Sequence, residues 1–511
     1  MRDIVKTELL IITAPFTYTF GPALAPALLK ACCEKENIQT TTWDVSADFN
    51  FNYEQHPYYA SVIGWMRSPD LQLTQQEFDW YTNIVADYAK FIIEKYQPTN
   101  LAISLLTQNS QRFTEDICYY VKLINAEINI ILGGSGMDIF QYQYQKKWCE
   151  LMLDSCLVDA VLLGEGEFAL PIAIKNNQTG IIKVQQLSNA QLNLVPIPDY
   201  NDYDFNLYGN TKKTYWSPAG ETRTNQAAEL IFLITASKGC VKNCNFCDVG
   251  NIWSKFRFRS GQHVADEIIH LYKKYNATYF SFTDSLMNGG LKPFFEMNKI
   301  LADQLPKSIK YEGQIICRSQ QDMPEKYFEI MGLAGCDSVS IGIESGSEQV
   351  RMHMGKGSSQ ADIYYTTEML AKYNIKQSWN IIAGYPTETD DDWQNTLELI
   401  THWVARTNGL LTIIPIDTFM LLDNTPLTEP DMFRSMQLTR SVVNGYSGFA
   451  WTSGLNPKNT FDVRAQRFIE LCNLLLGIDP VKYAPLSTKI VSTTKQLDWY
   501  THENICSTSS Y

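Results

Sequence analysis

Short apolar runs alternate with amphipathic stretches over residues 7–175: Leu9 to Ile12, Leu101 to Leu106, Ile128 to Leu132 and Val161 to Leu163. Uninterrupted apolar runs of this length read as strands of a parallel sheet buried on both faces. Between them Phe78, Tyr81, Val85, Tyr88 and Ile92 recur at helical spacing, as do Phe113, Ile117, Val121 and Ile124. Helices therefore cross over between strands, which predicts a doubly wound, Rossmann-like α/β domain over residues 1–175. Residues 46–75 interrupt the rhythm with Phe49, Phe51, Tyr53, His56, Tyr58, Tyr59 and Trp65, a segment expected to add packing at the sheet edge or to form a lid.

Residues 176–226 lose the alternation and fill with Asn, Gln, Thr, Pro and Tyr, as a linker with some local structure does. The alternation resumes at Ile231 to Ala236 and continues through Ala277 to Thr283, Tyr311 to Cys317, Ser338 to Ile343, Ser378 to Ala383 and Leu410 to Phe419. Val264, Ile268, Leu271 and Tyr275 mark one intervening helix, and Phe294, Met297, Leu301 and Leu305 the next. Six consecutive βα units curve into a partial (β/α)6 barrel of the TIM type, assigned to residues 227–425, with reactive groups expected at the carboxyl ends of its strands. Residues 426–511 form a small, mostly helical extension, with one clear helix around Arg464 to Leu475 and no evident chemistry.

A chain of 511 residues, 45% apolar and 12% aromatic, excludes a disordered or fibrous protein. The net charge of -13 repels phosphate backbones and anionic lipid and argues against a nucleic-acid partner. Lys255, Arg257 and Arg259 alternate with aromatic residues, but structure or shielding is the expected use of that stretch. Charges of both signs at Met1 to Lys6 do not make a signal peptide, and no segment reaches the roughly 18 apolar residues of a membrane span. A cytoplasmic location is the expectation. Twelve cysteines scattered through so long a chain do not form a secreted disulfide framework.

Three of them stand in one loop directly after the first barrel strand: Gly239-Cys240-Val241-Lys242-Asn243-Cys244-Asn245-Phe246-Cys247. Chance supplies this spacing roughly 0.007 times per chain of this composition. Converging thiolates suit zinc or an iron-sulfur cluster. Structural zinc wants four protein ligands, commonly with a second Cys or His pair, and no such pair follows within the usual distance, so three thiolates leave one coordination position open. A four-iron four-sulfur (4Fe-4S) cluster held by Cys240, Cys244 and Cys247 would keep one iron free for a cosubstrate.

This loop, including Phe246 before the last cysteine, resembles the signature of the radical SAM superfamily. The resemblance implies that the open iron binds S-adenosylmethionine and that an electron from the cluster cleaves it to a deoxyadenosyl radical. It further implies that Asp284 ending strand 2, Arg318 ending strand 3 and Glu344 ending strand 4 line the S-adenosylmethionine site with Phe246, and that Ile382 and Gly384 of strand 5 border its adenine. Asn380 departs from the glycine usual at the head of that last pattern.

In the N-terminal half, one strand ends at Ser104, the next in Gly133-Gly134-Ser135-Gly136, and the last in Gly164-Glu165-Gly166-Glu167. Small residues at strand ends let a flat ligand approach the backbone. This order, ahead of a three-cysteine barrel, resembles the cobalamin-binding domain of cobalamin-dependent radical SAM enzymes, and the segment Asp44 to Asn50 fits as well. The resemblance implies that Ser104, Gly133, Gly134, Gly164 and Glu165 meet cobalamin. The loop Thr13-Ala14-Pro15-Phe16-Thr17-Tyr18 lacks the Asp-x-His-x-x-Gly motif that supplies a lower cobalt ligand elsewhere, and His56 is the lone histidine before His263.

The resemblance implies methyl transfer to an unactivated carbon of a small-molecule or peptide substrate, with an external electron donor such as flavodoxin or ferredoxin. Two alternatives stay open: a radical SAM cyclase or rearrangement enzyme with the same domains and no methyl transfer, and a non-catalytic metal-binding interaction module.

Overall fold

The computed structural model describes residues 5–15, 21–68, 71–137, 140–141, 146–208, 214–216, 222–224, 230–440 and 448–503. Met1 to Ile4, Phe16 to Tyr18 of the first strand's loop, and parts of the linker and of the C-terminal extension lie outside the described residues. The chain divides into two compact units, the first mainly residues 1–212 and the second mainly residues 234–276 and 280–511.

The first unit is built on six strands: β1 (Leu9–Thr13), β2 (Thr40–Trp43), β3 (Asn100–Ser104), β4 (Asn129–Gly133), β5 (Ala160–Leu163) and β6 (Gly180–Lys183). They pair in parallel in the order β2-β1-β3-β4-β5-β6. The alternation of side chains explains the continuous apolar runs. Leu10 and Ile12 join Ile103, Ile130 and Leu132 in one core, while Leu9 and Ile11 join Ala102, Ile131, Ala160 and Leu162 in the other. Both faces are covered, as a parallel sheet requires. The strand order reverses between β1 and β3, the switch point at which open α/β sheets bind ligands.

The aromatic insertion forms two helices, Val45–Tyr53 and Tyr59–Arg67. Phe49, Val62 and Met66 are buried in the first core, so this segment completes packing. His56 stacks on Trp80 at 4.4 Å between ring centroids. Gly180–Lys183, within the segment read as a linker, adds the edge strand β6.

A second six-stranded sheet comprises β7 (Ile231–Ile234), β8 (Tyr279–Phe282), β9 (Lys310–Ile315), β10 (Cys336–Glu344), β11 (Lys376–Ala383) and β12 (Leu411–Thr418), adjacent in sequence order. The pairings from β9 to β12 are parallel. Capping residues fix the helices between them. The Ser260 hydroxyl accepts from His263 N to open the helix Gly261–Tyr275, and Asn276 closes it in a left-handed conformation at φ +53°. Thr389 and Asp392 form a capping box at the head of Asp390–Arg406. The unit is the partial (β/α)6 barrel expected from the sequence.

The C-terminal extension covers the last barrel strand, an edge that would otherwise expose unpaired backbone. Ile413 N donates to the Tyr483 hydroxyl at 3.1 Å, and Lys482 and Lys489 donate to the carbonyls of Leu411 and Pro415 at 3.0 and 2.8 Å. Among the described residues no helix is long and apolar enough to cross a membrane.

Candidate active site

The cysteine loop leaves the end of β7. Ser237 and Lys238 pair antiparallel with Phe258 and Arg257 and close the loop at its base. Gly239, at φ +86°, lets the two arms approach, since a Cβ there would lie 2.8 Å from the Lys255 carbonyl. Asn245 pins the centre of the loop to the barrel. Its backbone N donates to Met354 O at 2.8 Å, its side chain to His353 O at 2.6 Å, and its carbonyl accepts from Leu427 N at 2.8 Å. Arg257 is buried over the Trp253 ring, and Arg259 bonds Glu267 and the Thr235 carbonyl, so both arginines serve the loop's structure.

Cys240, Cys244 and Cys247 are all free thiols of intermediate exposure. Burial pushes Cys244 up to about 11 and raises Cys247; the charges of Cys247 and Cys240 add to the first shift, and that of Cys240 to the second. Three mutually repelling thiolates are stable together only on a cation. Ligands of a single zinc ion stand within about twice 2.3 Å of one another. Among the described residues no three Cys, His, Asp or Glu side chains converge as on one metal ion. Three thiols carried on one loop are a donor set that suits an iron-sulfur cluster.

The strand ends surround this loop with engaged polar groups. Asp284, after β8, is 2% exposed, and its carboxylate accepts from Ala236 N at 2.9 Å and from the Ser237 hydroxyl. Burial pushes it up to about 6 against those bonds. Asp284 thus reaches the site through the loop it orders. Arg318, after β9, donates from Nη2 to the carbonyls of Asn288 and Gly289 at 3.1 and 3.3 Å. Burial lowers its pKa, and Asp322 and Cys240 oppose the shift, which puts the guanidinium within electrostatic range of Cys240.

Glu344 ends β10 at φ +66°, a strained conformation for a residue with a side chain, at a register shift against β11. It pairs with Lys356 Nζ at 2.7 Å, both side chains nearly buried. Burial disfavours the Lys356 charge, but Glu344 and then Cys244 hold its pKa above the usual value. Lys356 also stands 5.9 Å from the Phe246 ring. Gly342 leaves the room this pair occupies, because a Cβ would meet Glu344 Oε1 at 2.2 Å and Lys356 Nζ at 2.5 Å. Phe246 and Ile382 pack on one apolar cluster with Met354, Tyr385 and Phe419. Gly384 follows β11 at φ +88°, and its N donates to Glu388 at 2.7 Å.

Sequence reasoning missed Lys356 and Asn245. The signal for the lysine was its setting, Gly355-Lys356-Gly357, with both glycines in left-handed conformations.

In the first unit, Ser104 ends β3 beside Thr13 of β1 and Gly133 of β4, at the switch point. Gly134, at φ +112°, is required by the fold, since a Cβ would sit 2.1 Å from the Leu105 carbonyl. Gly164, at φ +125°, approaches Val184 in the same way. Gly133 has nothing within 4 Å of a Cβ and faces open space. Glu165 is buried and accepts from Leu187 N. Asp44 is buried as well, accepting from the hydroxyls of Thr13 at 2.7 Å and Tyr208 at 2.5 Å.

A parallel barrel carrying a three-cysteine loop at its carboxyl end defines a class of iron-sulfur radical enzymes. Residues 234–400 match the family described as the Radical SAM superfamily. An uncharacterized methyltransferase of Pyrococcus horikoshii is 25% identical over 336 residues, 61% of this chain and 66% of the relative, so the match spans slightly less than two thirds of that protein. The cobalamin-dependent S-adenosylmethionine radical enzyme OxsB, solved with aqua-cobalamin, shares the fold at TM-score 0.61 and 14% identity, over 92% of this chain and 67% of its own. The radical S-adenosylmethionine methyltransferase TsrM of Kitasatospora setae, solved with cobalamin and a [4Fe-4S] cluster, does so at TM-score 0.54 and 12% identity, over 90% and 82%.

Proposed function

We propose that this protein is a cobalamin-dependent radical SAM methyltransferase acting on an unactivated carbon of a small-molecule or peptide substrate. The observation that carries the reading is the loop of Cys240, Cys244 and Cys247 at the mouth of a barrel that matches the radical SAM family, pinned through Asn245. When bound, the cluster supplies the electron that splits S-adenosylmethionine, and cobalamin supplies a transferable methyl group.

The chain's own residues bind, orient and exclude water. Cys240, Cys244 and Cys247 would hold the cluster, three thiolates leaving one iron for the cosubstrate. Arg318 and the Glu344–Lys356 pair provide fixed charge of both signs for the amino and carboxylate ends of the cosubstrate. Phe246 and Ile382 offer an apolar wall, and Gly384 a bare stretch of backbone for the adenine. In the first unit, Ser104, Gly133, Gly134 and Gly164 would form the cobalamin edge, with Gly133 the open approach and the buried Glu165 bracing it through Leu187 N. The eleven cysteines among the described residues are all free, which fits a reducing cytoplasm and an electron donor of the flavodoxin or ferredoxin type.

Anaerobic purification with iron, sulfide and cobalamin, followed by product analysis, tests this function. Methylated product with both deoxyadenosine and S-adenosylhomocysteine supports it. Deoxyadenosine without S-adenosylhomocysteine would make the chain a ring-forming or rearranging enzyme, and neither product would leave a metal-binding module.

A further inference from the structure

The C-terminal extension converges on one turn of the barrel, Gly384 to Glu388. Asn459 Nδ2 donates to the carbonyls of Gly384 and Tyr385 at 3.1 and 2.8 Å. Asn456 Nδ2 donates to the Glu388 carbonyl at 2.6 Å. Arg467 Nη1 reaches both the Glu388 carbonyl and its Oε2, at 3.3 and 3.1 Å, and that same oxygen accepts from Gly384 N.

Arg464 lies flat against Gly384, where a Cβ would meet its Cγ at 2.2 Å. Its guanidinium is 3.8 Å from the centre of the Trp451 ring and donates to the carbonyls of Asn459 and Phe449 at 2.7 and 3.0 Å. Asn459, Arg464 and Arg467 are 2%, 0% and 5% exposed. Apolar packing would hold a helix against a barrel at lower desolvation cost. Buried, directional polar groups instead fix the position of particular backbone atoms, and here those atoms are the amide and carbonyls of a single left-handed turn.

We propose that the extension forms the outer wall of the S-adenosylmethionine subsite, with Asn459, Arg464 and Arg467 as positioning residues that hold the backbone from Ile382 to Tyr385 ready for the cosubstrate. This rests on the assignment of that strand end to S-adenosylmethionine. A backbone edge held before binding loses less freedom on binding, so loosening it weakens affinity while leaving the cleavage step at saturation intact.

The test uses the full chain, anaerobically reconstituted, with Asn459→Ala and Arg464→Lys. The dissociation constant for radiolabelled S-adenosylmethionine should rise about tenfold, the scale of one or two lost hydrogen bonds. Cleavage at saturating cosubstrate should stay within about twofold, and amide exchange at Gly384 and Tyr385 should quicken without cosubstrate present. Unchanged affinity and exchange in cluster-loaded variants would overturn the proposal. Should both variants lose the cluster, Asn456→Ala provides the same comparison, and loss of the cluster there too would reduce the extension to a folding role and overturn it. Ile382→Trp tests the underlying assignment separately. If it abolishes binding while the extension variants keep unaltered affinity, the positioning role alone fails; if it leaves binding unchanged, the assignment fails.

Discussion

The ends of the barrel strands and the ends of the first unit's strands solve different problems. In the barrel they carry charged side chains that are already engaged: Asp284 on the loop, Glu344 on Lys356, Glu388 on Arg467. In the first unit they carry serine and glycine, and the buried acids there, Asp44 and Glu165, turn inward to cap and brace. Under the proposed function, the barrel's strand ends would hold charge beside a metal centre, and those of the first unit would clear a surface for a broad ligand. Charge therefore tells the reader where chemistry sits in the barrel, whereas in the first unit the telling feature is empty space.

The contrast can be broken most forcefully at the cysteines. Cys240→Ala, Cys244→Ala or Cys247→Ala should each abolish the brown chromophore and all cleavage of S-adenosylmethionine, read by absorbance and by deoxyadenosine. Next in size is the Glu344–Lys356 pair. Lys356→Met strands a buried carboxylate and should cost about 3–5 kcal/mol in denaturant unfolding, with part of the loss recovered in the Glu344→Gln/Lys356→Met double variant. An unaltered stability would show the pair to be solvated.

The glycines sharpen the comparison on the other side. Gly134→Ala should cost about 1–3 kcal/mol, because its left-handed backbone and its contact with the Leu105 carbonyl both resist a side chain. Gly133→Ala should be close to neutral in unfolding yet weaken cobalamin retention, measured by absorbance after desalting. Equal stability losses at the two positions would refute the distinction between structural and open glycines.

A further prediction is a pH slope. Burial raises Glu388 from its ordinary 4.5 to about 7 in the folded protein. Between those values the folded state holds more protons than the unfolded one, so this group's contribution to stability falls as pH rises from about 4.5 to about 7. Glu388→Gln should flatten the unfolding free energy over that window, and an unchanged slope would contradict the burial argument.

The sequence reveals the strands whose aliphatic runs are buried on both faces, and it reveals the three cysteines, because their spacing is chemistry in itself. β2 escapes such a reading, since Thr40, Thr41, Thr42 and Trp43 contain no aliphatic residue and its place is set by pairing with β1. β6 escapes because only one of its faces is covered. Asp284 is legible as a strand-end acid, but its bonds to Ala236 and Ser237 depend on the approach of segments 48 and 47 residues apart. Asn459 and Arg464 are hidden from local pattern for the same reason, while Lys356 shows only as a lysine between two glycines, its pairing with Glu344 being set by the fold.

The most direct test is Mössbauer and EPR spectroscopy of the anaerobically reconstituted protein, with and without S-adenosylmethionine. The account predicts one four-iron cluster per chain, one iron of which changes its signature when the cosubstrate is added. A site filled by zinc, or a cluster whose four irons are all indifferent to S-adenosylmethionine, would contradict it.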